Sequence, residues 1–176
     1  SRFTKTFYSE SEFELSCFLR QPEVKLELGR ACIRADQRNG NTIDLLWKGL
    51  ATYIVAANAR YLFGCSSLRE TDPVLVARLM RFVEAQGGWT RDHQIWPTKE
   101  YRLPGFCLAG VEPMAAPEAK KILPPLLRTY LNAGAQVYGY PALDEDFSCV
   151  DLLTILDLQN IHPKFSERYF ERSKRG

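Results

Sequence analysis

The stretch from Glu27 to Leu50, ELGRACIRADQRNGNTIDLLWKGL, holds the residue pattern most able to do chemistry. It begins with the alternation of a strand, breaks at the polar turn Gln37-Arg38-Asn39-Gly40-Asn41-Thr42, and resumes with the spacing of an amphipathic helix. A strand that stops at a helix N-terminus leaves several backbone N–H groups without partners, and such groups attract an anion. The predicted ligand of the turn is therefore a phosphate-like group, with Gly40 supplying backbone freedom and Asn41 or Thr42 capping the helix. A second candidate lies in YLFGCSSL, Tyr61 to Leu68, where Cys65 follows Gly64. A thiol nucleophile wants a neighbouring base or cation, and none stands beside Cys65 in sequence, so a buried core cysteine is the stronger reading. Ser66 and Ser67 are expected to satisfy local backbone groups.

These residues need a sheet and helices to hold them. Val24, Leu26 and Leu28 alternate with Lys25, Glu27 and Gly29, which predicts a strand continuing through Ala31 to Ile33. Ile43, Leu46, Trp47, Leu50, Ile54 and Ala57 follow helical spacing. Tyr61 to Leu68 reads as a buried strand, with a bulge or a close backbone approach at Gly64. Thr71-Asp72-Pro73 opens a second helix, with Leu75, Leu79, Phe82 and Val83 on its buried face. Strand, helix, strand, helix with short connections implies a parallel crossover and an α/β layer. Ser1 to Arg20 is expected to pack across a sheet edge, and Gly87 to Pro117 to form a long loop with one short strand. Pro117 starts a helix that Pro124-Pro125 interrupts and Gly134 ends. AQVYGYPA and CVDLLTIL read as the last two strands, LDEDFS as a polar turn, and Pro163 to Ser173 as a terminal helix. One domain over residues 1–176 is the simplest organisation.

Bulk composition narrows the function. Lys plus Arg number 23 against 21 for Asp plus Glu, and a net charge of +2 gives no reason to expect nucleic acid as a partner. The basic end FSERYFERSKRG is a solvated tail or a contact for an acidic partner or anionic lipid surface. Five widely spaced cysteines, an odd count without any C-x-x-C pair, read as reduced thiols in a cytoplasmic protein. With His93 and His162 far apart, no metal site is expected. No apolar run approaches the ~20 residues that cross a bilayer, so a cytoplasmic protein, at most peripheral at the inner membrane, is expected.

The turn resembles the Q/R-x-x-G-x-G/A signature of the Gcn5-related N-acyltransferase superfamily, departing at Thr42, where Gly or Ala is usual. Over a wider span, FYSESEFEL, LELGRACI, RNGNTIDLLWKGLATYI, LFGCSSL, LPPLLRTYLNAGAQVYG and DEDFSCVDLLTILDL resemble the ornithine-lipid N-acyltransferases, often labelled hemolysin-like, from about Phe7 to Phe170. No long amphipathic pore-forming segment accompanies that label. The resemblance implies a mixed central sheet flanked by helices, with the family's strands before FYSESEF expected to be absent from this chain. It implies transfer of a 3-hydroxyacyl group from acyl carrier protein to the α-amine of ornithine, giving lyso-ornithine lipid.

The donor would be an acyl-phosphopantetheine thioester on acyl carrier protein, with acyl-CoA as the alternative. Arg38, Asn39, Gly40, Asn41 and Thr42 would hold its phosphate, while Cys65 and Ser66 would line the acyl slot. Glu27-Leu28-Gly29-Arg30 is similar to the E-x-x-R of acyl-homoserine-lactone synthases. Amide formation needs an uncharged amine, so Glu27 is the candidate base, and Arg30 a substrate contact or the partner of an acidic neighbour. In a flat strand the two point to opposite faces, and a bulge at Gly29 would bring them together. Asp144, Glu145 and Asp146 would attract a cationic acceptor or merely solvate a turn. Arg34, Arg38, Lys48 and Arg60 are candidates for docking the acidic carrier protein. A related synthase using glycine or another amine, and a non-catalytic carrier-binding module, are the alternatives.

Overall fold

The computed structural model describes residues 7–29, 34, 36 and 40–171. In chain order, a 3-10 turn (Tyr8–Ser11) leads into β1 (Phe13–Glu14), α1 (Ser16–Leu19), β2 (Val24–Glu27), α2 (Gly40–Ala56), β3 (Ala59–Leu68) and α3 (Pro73–Ala85). The short strands β4 (Trp89–Thr90) and β5 (Trp96–Pro97) precede α4 (Ala116–Ile122) and α5 (Pro125–Ala133). The chain continues through β6 (Gln136–Tyr138), β7 (Ala142–Asp144) and β8 (Cys149–Asp157). It then enters α6 (Pro163–Ser166), which runs into a π-helical turn (Glu167–Glu171).

The main sheet has the order β2-β3-β8-β6-β4, with β7 also on β8, while β1 and β5 form a separate antiparallel pair. β2 and β3 run parallel with α2 as their crossover, and β8 pairs antiparallel with β3 from Tyr61↔Asp157 to Leu68↔Val150. This is the mixed sheet flanked by helices expected of a Gcn5-related N-acyltransferase fold.

Alternation along β3 and β8 divides the core in two. Leu62, Leu152 and Leu156 face the helices, where Trp47, Ala51, Ile54, Val76, Leu79, Met80, Val83 and Leu127 are buried. Tyr61, Phe63, Leu153 and Ile155 face the other way, onto Phe13, Leu15 and Phe18. The N-terminal segment therefore covers a face of the sheet, not an edge as its mixed pattern suggested. Three bulky apolar side chains cannot be hidden against a strand edge.

Local chemistry explains the elements that were read correctly. Asp72 caps α3 by accepting from the Val74 and Leu75 N–H groups at 2.8 and 2.9 Å, with Pro73 at its first position. Pro124 and Pro125 separate α4 from α5, and α5 ends at Gly134 with φ 102°.

Four readings need correction. α2 already begins at Gly40, so neither Asn41 nor Thr42 stands in the capping position before it. Leu46 is 57% exposed, because Ile43, Trp47, Leu50, Ala51 and Ile54 fill the inward stripe and Leu46 lies about 100° away from Trp47 around the helix. The 87–117 region contains two short strands rather than one. AQVYGYPA is two strands, broken at Gly139 with φ 71°, where a Cβ would overlap the Ile95 carbonyl oxygen. Residues 30–33, over which β2 was expected to continue, lie outside the described residues.

Candidate functional site

The sheet opens at one place. β2 follows β3 as far as Glu27↔Phe63, and the Leu28 N–H donates to the Phe63 carbonyl at 2.7 Å as the last rung. At the next residue of β3 a Cβ on Gly64 would collide with the Leu28 carbonyl oxygen. The register with β8 runs through Gly64 without interruption, so of the two expected features it is the close approach that occurs, not a bulge. Beyond Leu28, no strand among the described residues pairs with the β2 side of β3. Since the Phe63 carbonyl points to that side, the backbone groups of Cys65 and Ser67 point there too.

A cleft of about 310 Å³ lies along this open edge. Leu28, Gly64, Cys65, Ser66 and Ser67 form its rim, and Trp47, Leu126, Leu127 and Tyr130 its apolar wall. Trp47 is both core and cleft lining, 4% exposed and edge-on to Tyr130 at 5.7 Å. Ser66 is buried and accepts from Thr154 Oγ1 at 3.0 Å, a side-chain partner on β8 instead of the local backbone group expected for it.

On the opposite face of β3 the rim touches a group of buried acids. Glu12 is 1% exposed and Asp151 4%. Cys65 Sγ lies 3.5 Å from Glu12 Oε2 and 3.4 Å from Ser9 Oγ. Ser67, exposed at the rim, donates to Asp151 Oδ1 at 2.5 Å, and the Glu12 and Asp151 carboxyls are near enough to shift each other's titration. Asp144, expected in a solvated turn, is 7% exposed beside Cys149 and Asp151, because it ends β7 and pairs with Cys149 of β8. Burial, and then the charge of Asp151, push the Glu12 carboxyl up to about 7. Burial also raises Asp151, against hydrogen bonds from Ser67 and Glu12 that hold it down. Two carboxyls so placed share a proton and titrate as a unit.

Glu27 closes this network from the far side. Its Oε2 accepts the Tyr8 N–H at 2.8 Å, and its Oε1 accepts the Ser9 N–H and the Ser9 hydroxyl, each at 2.7 Å. Glu27, Ser9, Cys65, Glu12, Asp151 and Ser67 thus form one polar chain behind the open edge. Burial pushes the Cys65 thiol well above the ordinary thiol range, so it is held as a neutral thiol. Denaturing mass spectrometry after incubation with an acyl thioester is accordingly expected to show no acyl group on Cys65.

The remaining predicted residues fall in different places. Arg30, Arg38 and Asn39 lie outside the described residues, as does the side chain of Asn41, while Gly40 opens α2. Thr42 is half-buried in the first turn of α2. Of the basic residues, Arg34 pairs with Asp36 at 2.6 Å and Lys48 with Asp44 at 2.6 Å. Arg60 joins β2 to β8 through Glu23 and Asp157, at 2.9 and 3.1 Å. Sequence reasoning missed Glu12 and Asp151: Asp151 is a lone acid in the apolar run CVDLLTIL, whereas Glu12 sits between Glu10 and Glu14 in YSESEFEL and carries no such signal.

Comparison with known proteins agrees with the fold. A family model described as an acetyltransferase (GNAT) domain matches residues 1–48. An L-ornithine N(alpha)-acyltransferase of Rhodobacter capsulatus is 29% identical over 170 residues, covering 94% of this chain and 63% of that protein. Proteins of the same name from Brucella abortus and Agrobacterium fabrum are each 28% identical, covering 96% of this chain and 60% and 58% of their own lengths. The chain spans about three fifths of the length of these curated relatives. No solved structure matches significantly. The chain is thus similar to an acetyltransferase (GNAT) domain over residues 1–48 and, along nearly all of its length, to proteins named L-ornithine N(alpha)-acyltransferase.

Proposed function

We propose that this chain carries the transfer core of an N-acyltransferase that moves a 3-hydroxyacyl group from acyl carrier protein to the α-amine of ornithine, forming lyso-ornithine lipid. The observation that carries the reading is the parting of β2 and β3 at Leu28 and Gly64 over an apolar cleft, with carboxyls gathered behind the same edge. An acyl-pantetheine is a long, thin ligand with amides in its arm. The backbone groups of Cys65 and Ser67, which no strand among the described residues pairs on the β2 side, suit those amides, and the wall of Trp47, Leu127 and Tyr130 suits the acyl chain. The turn from Arg38 to Thr42, immediately before and within the first turn of α2, would take the phosphate. The acids Glu12, Asp144 and Asp151 favour a cationic acceptor such as ornithine at the thioester end.

Burial that keeps the Cys65 thiol neutral argues against acylation there and supports direct attack, without an acyl-enzyme. Arg30 would contact the substrate or pair with an acid. No helix among the described residues is long and apolar enough to cross a membrane, and a cytoplasmic protein acting at the inner face of the membrane suits a lipid-forming reaction. The test is incubation of the intact protein carrying this chain with 3-hydroxyacyl carrier protein and ornithine. Acyl-ornithine in the mass spectrum is the expected result. Its absence overturns the reading, and carrier binding without turnover points instead to a binding module.

A further inference from the structure

We propose that Glu12, paired with Asp151, is the group that takes the proton from the acceptor's ammonium, and that Glu27 is a positioning residue for the turn that carries Glu12. The inference rests on the acyl-transfer reading above and names the base within it.

Geometry separates the two carboxylates. Both oxygens of Glu27 are occupied by the Tyr8 and Ser9 N–H groups and the Ser9 hydroxyl, which lock the 3-10 turn Tyr8–Ser11 against the end of β2. Glu12 is the residue after that turn, so whatever fixes Ser9 fixes where Glu12 lies. Glu12 itself is buried against the rim and not held by a cation in any ion pair among the described residues. An acid in that setting is costly unless its proton has a use. A glutamine would fill the same space and make comparable hydrogen bonds without the charge.

A polar path leads from the cleft to Glu12. Ser67 is exposed at the rim and donates to Asp151, whose charge acts on Glu12, while Cys65 lines the cleft and touches Glu12 directly. The acceptor enters as an ammonium and must lose one proton before it can attack. That proton passes to the Ser67 hydroxyl as the Ser67 proton passes to Asp151, leaving the carboxyl pair with one proton more. The free amine then attacks the thioester carbon. The C–N bond forms, the C–S bond breaks, the departing thiolate takes the second N–H proton, and the carboxyl pair returns its own to water.

Several groups face Glu12 from the elements packed around it. They are Tyr8 of the N-terminal turn, Cys65 of β3, Tyr101 before the 103–115 loop, Asp144 of β7, and Cys149 and Asp151 of β8. Burial raises both tyrosines and both thiols, so at neutral pH the acids alone change charge. Burial first, and these acids next, place the Glu12 titration near 7, where a base that must both accept and release a proton works best. The base is the ionised form. Acyl transfer is therefore supported above the Glu12 titration and lost as pH falls through it.

Two measurements on the intact protein test this. In protein labelled with ¹³C at the glutamate side-chain carboxyl, the resonance absent from Glu12→Gln is expected to titrate near 7, and to move down in Asp151→Asn. In the ornithine assay, Glu12→Gln is expected to lose at least about 100-fold in kcat and to lose the rise near pH 7, keeping only the rise from the acceptor amine itself. Glu12→Asp should restore part of the rate. A Glu12 resonance that titrates in the ordinary carboxylate range overturns the proposal, as does a Glu12→Gln enzyme that keeps its kcat and pH profile. If Glu12 titrates near 7 but the unaltered protein makes no acyl-ornithine, the acyl-transfer reading fails and the base assignment falls with it. The resonance tells that failure apart from a misplaced base.

Discussion

Replacing Gly64 by alanine lowers the melting temperature by roughly 5–15 °C and abolishes the transfer reaction, the first through one methyl group and the second through the strand it displaces. The added Cβ would overlap the Leu28 carbonyl oxygen, which is backbone and cannot swing aside as a side chain does. On one side the Leu28 N–H is tied to Phe63, and on the other β3 is paired residue by residue with β8, so neither strand can give freely. Overpacking of a well-filled site costs about 1–3 kcal/mol, and a backbone clash lies at the upper end or beyond. For a chain of this size each kcal/mol is worth about 2–4 °C. Gly29→Ala is the matched control, because no atom of the described residues lies within 4 Å of a Cβ placed there. Thermal melts should place the Gly29 variant with the wild type and the Gly64 variant well below it. Equal melting of all three would mean that β2 does not approach β3 as closely as described.

How much of this could be read from the residues depends on whether the cause is local. The cap at Asp72 and Pro73, the break at Pro124-Pro125 and the stop at Gly134 are each set by a residue acting on its own few neighbours, and each is found where it was predicted. Gly64 was legible as an interruption, because a glycine within an apolar run needs a reason. The choice between bulge and close approach was not legible, since the atom it avoids belongs to Leu28, on another strand.

Long-range pairing hid the rest. β1 is two residues long and gains its identity from Phe13↔Pro97 and Glu14↔Trp96, a pairing across more than 80 positions that no period in the sequence announces. Leu46 shows the opposite failing. It obeys helical spacing well enough to be counted as core, yet the inward stripe of α2 is already filled and leaves it outside.

The site was legible in part for the same reason. The sheet opening follows from β2, α2 and β3 in sequence order, so the cleft was foreseeable at Cys65 and Ser66. The acids behind it come from the N-terminal turn, β7 and β8, segments brought together only by the fold. The one sequence signal among them is incongruity. Asp151 is the sole charge between Cys149 and Leu156, in a strand buried along its whole run to that point, and a buried charge in such a place asks for a partner.

Glu27→Gln separates a clamp from a base. The carboxylate accepts three hydrogen bonds from two residues 18 and 19 positions away, and two of those donors are backbone N–H groups that a side-chain amide cannot all serve. Bonds of this kind to a charged acceptor are worth about 1.5–3 kcal/mol each, so loss of even one or two frees the N-terminal turn from the end of β2. Faster hydrogen exchange at the Tyr8 and Ser9 amides, and a melting temperature lowered by several degrees, are the expected signs. Activity should fall at least about 10-fold, because Ser9 no longer fixes the position of Glu12 against Cys65 and Asp151. The residual activity should still rise with pH near 7, since the group that titrates there remains. Had Glu27 been the base, the fold would hold, the two amides would exchange as before, and that rise would vanish. The shape of the pH profile, measured beside the exchange of two amides, therefore assigns the roles of both carboxylates without comparing absolute rates.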